Sequence, residues 1–284
     1  TKRRQLLSLA DELKAKRNTA SQAIGREKDE AKRAAAIKEM ESVKQEIAGL
    51  DAQLSETETA LDGLLLQLPN LPEPGVPTGK TDAENIVLRT EGKQFQFSFA
   101  PRPHWEIGES LGILDFERGV KISGSRFYVL KGAGAALQRA LISWMLDVHI
   151  DQGYTEVYPP YMVKQQCLFG TAQLPKFGDN LYRDAEEDFY FIPTAEVPVT
   201  NLYRDEILEA ETLPVKHVAY SACFRREKLA AGRDTRGMKR GHQFDKVEMV
   251  QFVRPEESAK ALLGLLDDAE SILRALELPY RVIQ

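Results

Sequence analysis

The chain has 284 residues, 43% of them hydrophobic and 29% charged, enough for one large domain or two smaller ones, with the balance of a soluble globular protein. Its net charge of −5 excludes a uniformly basic nucleic-acid coat but leaves room for local basic patches. Cys167, Cys223 and the four histidines make no metal or redox spacing, and no apolar run approaches the roughly 18 residues of a membrane helix, so a reduced, cytoplasmic setting is expected.

Residues 1–68 read as two helical segments. In the first, Leu6, Leu13 and Ala20 share one heptad position, and Ala10, Arg17 and Ile24 share the other. In the second, Met40, Ile47, Leu54, Leu61 and Leu68 recur every seven residues, followed three later by Val43, Leu50 and Leu64. The polar stretch Gly25 to Glu30 is the expected turn of an antiparallel hairpin, whose second helix would be about 60 Å long. Residues 1–33 carry ten Lys/Arg and five Asp/Glu, and residues 34–68 two and seven, so positive charge gathers toward the turn. Such a charge run is ordinarily a solvated face; a long arm with a basic tip could instead meet a phosphate backbone. The seam from Leu50 to Leu68 has no partner in the shorter first helix. Thr1 enters KRRQLLSLADEL without an N-cap, and LPYRVIQ stops inside a strand-like run. The sequence therefore reads as a fragment cut at both ends.

Residues 69–81, PNLPEPGVPTGKT, hold four prolines and two glycines and mark a linker. Beyond it Phe95, Phe97 and Phe99 alternate with polar residues. A short helix is expected over His104 to Gly112, then a basic, glycine-bearing turn at KISGSR. A strand from Arg126 leads to a helix reaching Gln152, with Leu137, Leu141, Trp144, Met145 and Val148 as its core stripe and Gly153 as its cap. GYTEVYPPYMV (153–163) and LFGTAQLPKFGDNLY follow. FYFIPTAEVPVTNLY (189–203) sets Thr194 and Glu196 at a strand end, two apart and so on one side; helix capping accounts for the pair equally well. A last amphipathic helix spans Pro255 to Leu276, with Leu262, Leu265, Leu266, Ala269, Ile272, Leu273 and Leu276 inward.

Between these lies RREKLAAGRDTRGMKRGHQFDKVE (225–248). Before it HVAYSACF alternates strictly: Val218, Tyr220, Ala222 and Phe224 point one way, and Ala219, Ser221 and Cys223 the other, a parity that carries on to Arg225 and Glu227. After the loop FDKVEMVQF reads as a returning strand with Phe244, Lys246 and Glu248 on one face. From Arg225 to Lys246 there are eight Lys/Arg against three Asp/Glu. A solvated surface hairpin is one reading; a floor for a phosphorylated aromatic ligand is the other.

FRRE, then GRDTRG, then HQFDKVE resembles motif 2 of class II aminoacyl-tRNA synthetases, in the seryl-tRNA synthetase version. GYTEVYPPYMV resembles motif 1, with Pro159 in the place of its proline, and LFGTAQLPKF resembles a loop usually reading GTGQLPKF, with Ala172 for the glycine looking mild. The resemblance implies an α+β protein: a tRNA-binding helical arm over 1–68, the linker over 69–81, and an antiparallel-sheet catalytic domain over 82–284 in which motif 3 is absent. It implies activation of L-serine with ATP and Mg²⁺ and transfer to tRNA(Ser), and possibly tRNA(Sec), by a cytoplasmic homodimer joined near Pro159.

By the same resemblance Arg225 takes the α-phosphate, Arg226 and Glu227 help hold ATP, Phe244 stacks on adenine, and the backbone at Gly241 closes on it. Thr194, Ala195, Glu196 and Glu248 contact serine, and Arg225, Glu227 and Glu248 are the expected catalytic set. Arg17, Arg26 and Lys28 are the tRNA contacts expected on the arm. Arg233, Arg236, Lys239 and Arg240 would meet triphosphate or the tRNA acceptor end. KLAAG after Glu227, where the family often reads AGSAG, alters that loop. With motif 3 beyond Gln284, no metal ligand is expected in these residues, and the 284 residues alone are expected not to activate serine at a normal rate. The alternatives are a synthetase-like protein that dimerises and binds RNA or nucleotide without catalysis, and a related ligase loading amino acids on a carrier protein. The basic-tipped arm speaks against the latter.

Overall fold

The computed structural model describes residues 1–228 and 236–284, which form two compact units, Thr1–Leu71 and Pro72–Gln284. Arg233 lies outside the described residues.

The first unit is a helical hairpin of α1 (Lys2–Arg26) and α2 (Glu30–Leu65). The Glu27 carboxylate accepts from Lys28 N and Asp29 N in the turn, and Asp29 caps α2 by accepting from Ala31 N and Lys32 N, so the polar residues satisfy backbone donors that the turn exposes. Leu6 and Ala10 of α1 and Val43 and Ile47 of α2 form its buried seam. Arg3–Glu58 and Lys14–Asp51, both at 2.8 Å, fix the register from outside, though exposed pairs of this kind add little stability. The 36 residues of α2 span about 54 Å. Leu61, Leu64 and Leu68 of the heptad seam are exposed.

The second unit runs, in chain order, β1 (Val87–Glu91), α3 (His104–Ser110), β2 (Leu114–Asp115), α4 (Phe116–Ser123), β3 (Val129–Leu130), α5 (Ala133–Asp151), β4 (Thr155–Glu156), β5 (Met162–Val163), α6 (Gln165–Gly170), β6 (Tyr190–Phe191), α7 (Glu196–Thr200), β7 (Val215–Phe224), β8 (Gln243–Phe252), α8 (Ser258–Ala275) and β9 (Tyr280–Ile283). Its centre is the β7–β8 hairpin, antiparallel over ten residue pairs from Val215↔Phe252 to Phe224↔Gln243. β4 adds in parallel along β7. β1 pairs with β9, β2 with β3 and β5 with β6, all antiparallel. The α+β expectation holds. The main apolar cluster gathers Leu168, Leu174, Leu181, Ile192 and Val197 with Val163 and Tyr190. A smaller one places Ala195 and Val199 of the α7 region against Ala219 of β7, which seats α7 beside the hairpin.

Several expectations change. KISGSR is not a free turn: α4 continues to Ser123, capped at its start by Asp115, and the left-handed Gly124 (φ 89°) ends it. Phe95, Phe97 and Phe99 are exposed and follow β1 without joining a strand. In α5 the stripe is half-buried except Leu137, which is exposed. The last helix begins at Ser258 after a 3-10 turn, and Leu262, Ala269 and Leu276 face solvent. Its buried face carries Glu270 instead, which bonds Arg89, Arg274 and Tyr280; a carboxylate in that position is invisible to an apolar-periodicity search. Ala172 is left-handed, at φ 56°. The glycine-to-alanine difference there is not mild, because the Cβ sits in a conformation that costs L-residues free energy.

Candidate active site

The site starts from the parity of β7. Ala219, Ser221 and Cys223 are wholly buried and stand opposite Glu248, Lys246 and Phe244 respectively in the β7–β8 register. Directly opposed residues of antiparallel strands share a face. The hairpin therefore presents Phe244, Lys246 and Glu248 beside a row of small side chains, which leaves volume above the row. Burial pushes the Cys223 thiol up, against the opposing pull of the Ser221 hydroxyl, so it sits there as a small neutral group. On the opposite face Asp245 accepts from Tyr220 Oη at 2.9 Å and pairs with Gln138 of α5, which ties α5 to the back of the hairpin. Burial, then that carboxylate, push the Tyr220 phenol up to about 12.

The strand ends at Phe224, so parity does not carry Arg225 and Glu227 onto the pleat. Arg225 N donates to His242 O at 2.9 Å, and Arg226 N to Asn180 O at 2.9 Å. The Arg225 guanidinium still reaches the floor: its central carbon lies 5.0 Å from the Phe244 ring centroid, and Nε donates to Pro193 O at 3.2 Å. The Arg226 guanidinium turns away to the Tyr182 ring, 5.6 Å off. Glu227 is buried in a left-handed conformation at φ 51°, its carboxylate 3.8 Å from Arg240. Backbone held in that region by its surroundings is a feature concentrated at functional sites.

Gly241 is buried, and a Cβ there would come within 3.0 Å of Gln243 O and 3.4 Å of Arg126 O. A side chain there would press on backbone from two directions, so close approach favours glycine. On the returning limb of the loop Arg236, Lys239 and Arg240 are exposed. Met238 N donates to His104 Nε2 at 3.0 Å, anchoring that limb on α3. A cavity of about 450 Å³, bordered by Trp105, Phe116, Arg126 and Arg236, lies beside the β7–β8 face rather than on it.

Thr194 and Glu196 differ from expectation. β6 ends at Phe191, and Thr194 is buried at the turn into α7, whose first residue is Glu196. They do not share a strand face; the helix start brings them together. Thr194 Oγ1 accepts from Glu196 N at 3.3 Å and from Lys246 Nζ at 2.6 Å, and donates to Glu248 Oε2. Lys246 and Glu248 are also ion-paired. Glu196 is exposed as a residue; partial burial, then the Glu248 carboxylate, push its pKa upward, with Lys246 opposing. Ala195 is wholly buried beneath. Lys246 is the residue whose part sequence reasoning missed; the signal was its position between Phe244 and Glu248 on the alternating face.

Elsewhere, Pro159 is buried within the chain while Tyr158 beside it is exposed. Arg17, Arg26 and Lys28 are exposed on α1 and its turn. Among the described residues no group of three or more His, Cys, Asp or Glu is placed to hold a metal ion, and no helix is long and apolar enough to cross a membrane.

A guanidinium on an aromatic floor and a buried threonine bonded to a carboxylate and a lysine stand at an antiparallel hairpin flanked by helices, and the match to known proteins places that core in the class II synthetases. Residues 177–284 match the family model described as tRNA synthetase class II core domain (G, H, P, S and T), and residues 1–72 match Seryl-tRNA synthetase N-terminal domain. A serine--tRNA ligase of Roseiflexus sp. is 59% identical over 279 residues, and one from Dehalococcoides mccartyi is 53% identical over 283. The chain aligns over 98% and 99% of its own length with these two, and spans 66% and 67% of theirs. Seryl-tRNA synthetase from Pyrococcus horikoshii complexed with ATP superposes with a TM-score of 0.92 at 35% identity, over 100% of this chain and 68% of that one. The chain belongs to the seryl-tRNA synthetase family.

Proposed function

We propose that the β7–β8 face binds ATP and L-serine, and that the protein is a serine--tRNA ligase which forms seryl-adenylate and passes the seryl group to tRNA(Ser), with tRNA(Sec) a second acceptor. The observation that carries this reading is the adjacency, along one strand face, of a guanidinium on an aromatic ring (Arg225 on Phe244) and a threonine–carboxylate cluster (Thr194, Glu248). The first suits an anionic aromatic ligand, the second an ammonium group. In the reaction a serine carboxylate oxygen bonds to the α-phosphorus of ATP and the bond to pyrophosphate breaks. Both reactants are anions, so the protein's work is to place them and neutralise charge.

Arg225 performs that work, since a guanidinium stays charged and can hold phosphate and carboxylate oxygens together. Phe244 offers its face to adenine. Arg226 and Glu227 shape the entry of the loop, with Glu227 held in place by Arg240, and Gly241 lets that turn pack closely. Thr194, Ala195, Glu196 and Glu248 form the serine end, where an acceptor for the substrate hydroxyl rejects alanine by being left unpaired. Mg²⁺ rides on the triphosphate in this reading. The arm meets tRNA through Arg17, Arg26 and Lys28, two copies of the chain join around Pro159, and the protein works in the cytoplasm.

The test is serine-dependent ATP–pyrophosphate exchange, run on the chain and on a chimera that appends the C-terminal third of a curated relative. Exchange by the chimera that depends on serine and fails with Arg225→Ala supports the ligase. Nucleotide or RNA binding by both without exchange would favour the non-catalytic binding protein.

A further inference from the structure

The geometry points to Lys246 as an internal stand-in for the substrate's α-ammonium, which serine must exchange out of the Thr194–Glu248 cluster in order to bind. The inference rests on the serine-binding reading of that cluster. Its basis is hydrogen-bond capacity. A threonine hydroxyl has one donor and two acceptor positions, and at Thr194 all three are used. Oγ1 donates to Glu248 and accepts from Glu196 N and Lys246 Nζ. Lys246 Nζ pairs with Glu248 as well.

An arriving α-ammonium brings the same charge and the same three donors as the lysine head. Thr194 Oγ1 is saturated and Glu248 Oε2 is shared between that hydroxyl and Lys246, so the ammonium can take the lysine's place on the hydroxyl only when Lys246 leaves. Two ammonium groups on one carboxylate would also repel each other at close range. The exchange is symmetrical in charge: Glu248 is paired with a cation before and after it. That removes the cost of an uncompensated carboxylate in the empty site. Lys246 is able to leave, because its side chain is 31% exposed on a flexible four-carbon stem. Opposite it stands Ser221, too small to clamp the stem.

Holding the site shut lowers apparent serine affinity by the fraction of protein in which Lys246 has released. Lys246→Met keeps the length of the stem and removes the competitor, so the Kd for serine should fall roughly three- to tenfold, with the Kd for ATP unchanged. A role in merely supporting the fold, or a direct bond from Lys246 to serine, would leave serine affinity unchanged or weaken it.

The wild-type protein supplies an arm that needs no variant. Dilute acetic anhydride acetylates lysine amines, and the yield at Lys246 is read by mass spectrometry with increasing L-serine. Release predicts that Lys246 acetylation rises, half-maximally at the calorimetric Kd for serine. Acetylation that stays level or falls while serine binds, or a Lys246→Met protein with serine Kd unchanged or raised, overturns the exchange and leaves the serine site standing. Absence of any serine binding to the wild-type protein refutes the site reading, and the exchange with it.

Discussion

Thr194→Val separates the two roles a buried hydroxyl can have. Valine replaces threonine with nearly the same shape, so packing at a residue only 3% exposed is kept and only hydrogen bonding changes. Three bonds meet at Oγ1: from Lys246 Nζ, from Glu196 N and to Glu248. Because Lys246 and Glu248 remain paired with each other, neither charge is stranded. The cost is then the loss of charge-assisted bonds partly restored by the surviving partner, about 2 kcal/mol. At roughly 2–4 °C per kcal/mol for a domain of this size, Tm should fall by roughly 4–8 °C. Serine should suffer separately. Losing one acceptor for its ammonium costs about 1.5–3 kcal/mol, or roughly 10- to 150-fold in Kd, with ATP affinity unchanged and Thr194→Ser restoring serine. Calorimetric unfolding and serine titration give both numbers on one preparation. A lower Tm with serine Kd changed by less than about twofold would refute the assignment of Thr194 to serine and leave the hydroxyl a structural group.

Asp115 accepts from Lys131 Nζ at 2.8 Å, Arg118 N at 3.0 Å and Arg118 Nη1 at 2.8 Å, and these bonds hold its carboxyl well below the usual carboxylate range. Its contribution is therefore complete above the ordinary carboxylate pKa of about 3.9 and lost as pH falls through the folded value; urea midpoints of wild type and Asp115→Asn should differ at about pH 7, begin to approach only below about pH 3.9, and converge only as pH falls through the folded value. Ala172→Gly relieves a left-handed alanine and should stabilise the protein by about 0.5–1 kcal/mol after the entropy of glycine is counted, measured by the same denaturation. Reversing charge at Arg17, Arg26 and Lys28, all exposed, should weaken tRNA binding and make its log–log salt dependence shallower by roughly two to three, without touching serine-dependent exchange; unchanged tRNA affinity would remove these residues from the interface.

What was legible in the sequence is what depends on local period. The seam of Val43 and Ile47 against Leu6 and Ala10 follows from the heptads, and the turn at Glu27–Asp29 from polar residues able to cap it. The ten-pair β7–β8 hairpin follows from strict alternation on both limbs. What escaped depends on partners or on backbone angles. Leu137 fits a core stripe by spacing and yet lies in solvent, because nothing in the described chain covers that side of α5. Glu270 breaks an apolar face and yet lies inside, because Arg89 and Arg274 come from elsewhere to meet it. The demand at Ala172 is a φ value, which residue type alone does not display.

The site divides along the same line. Alternation put Phe244, Lys246 and Glu248 on one face, and small residues opposite them implied space above. Alternation could not supply the other wall. Thr194 is brought toward Glu248 by the packing of Ala195 and Val199 on Ala219, a contact between segments twenty or more residues apart in sequence whose side chains carry no chemistry of their own. Those apolar contacts fix where the hydroxyl lies, and the hydroxyl in turn bonds Lys246 and Glu248. That is why Lys246 could be read from sequence as one more charge on a cationic hairpin, and why its place becomes specific once Thr194 stands across from it. Lys246 is thus held by a hydroxyl whose place is set by the packing of Ala195 and Val199 against Ala219.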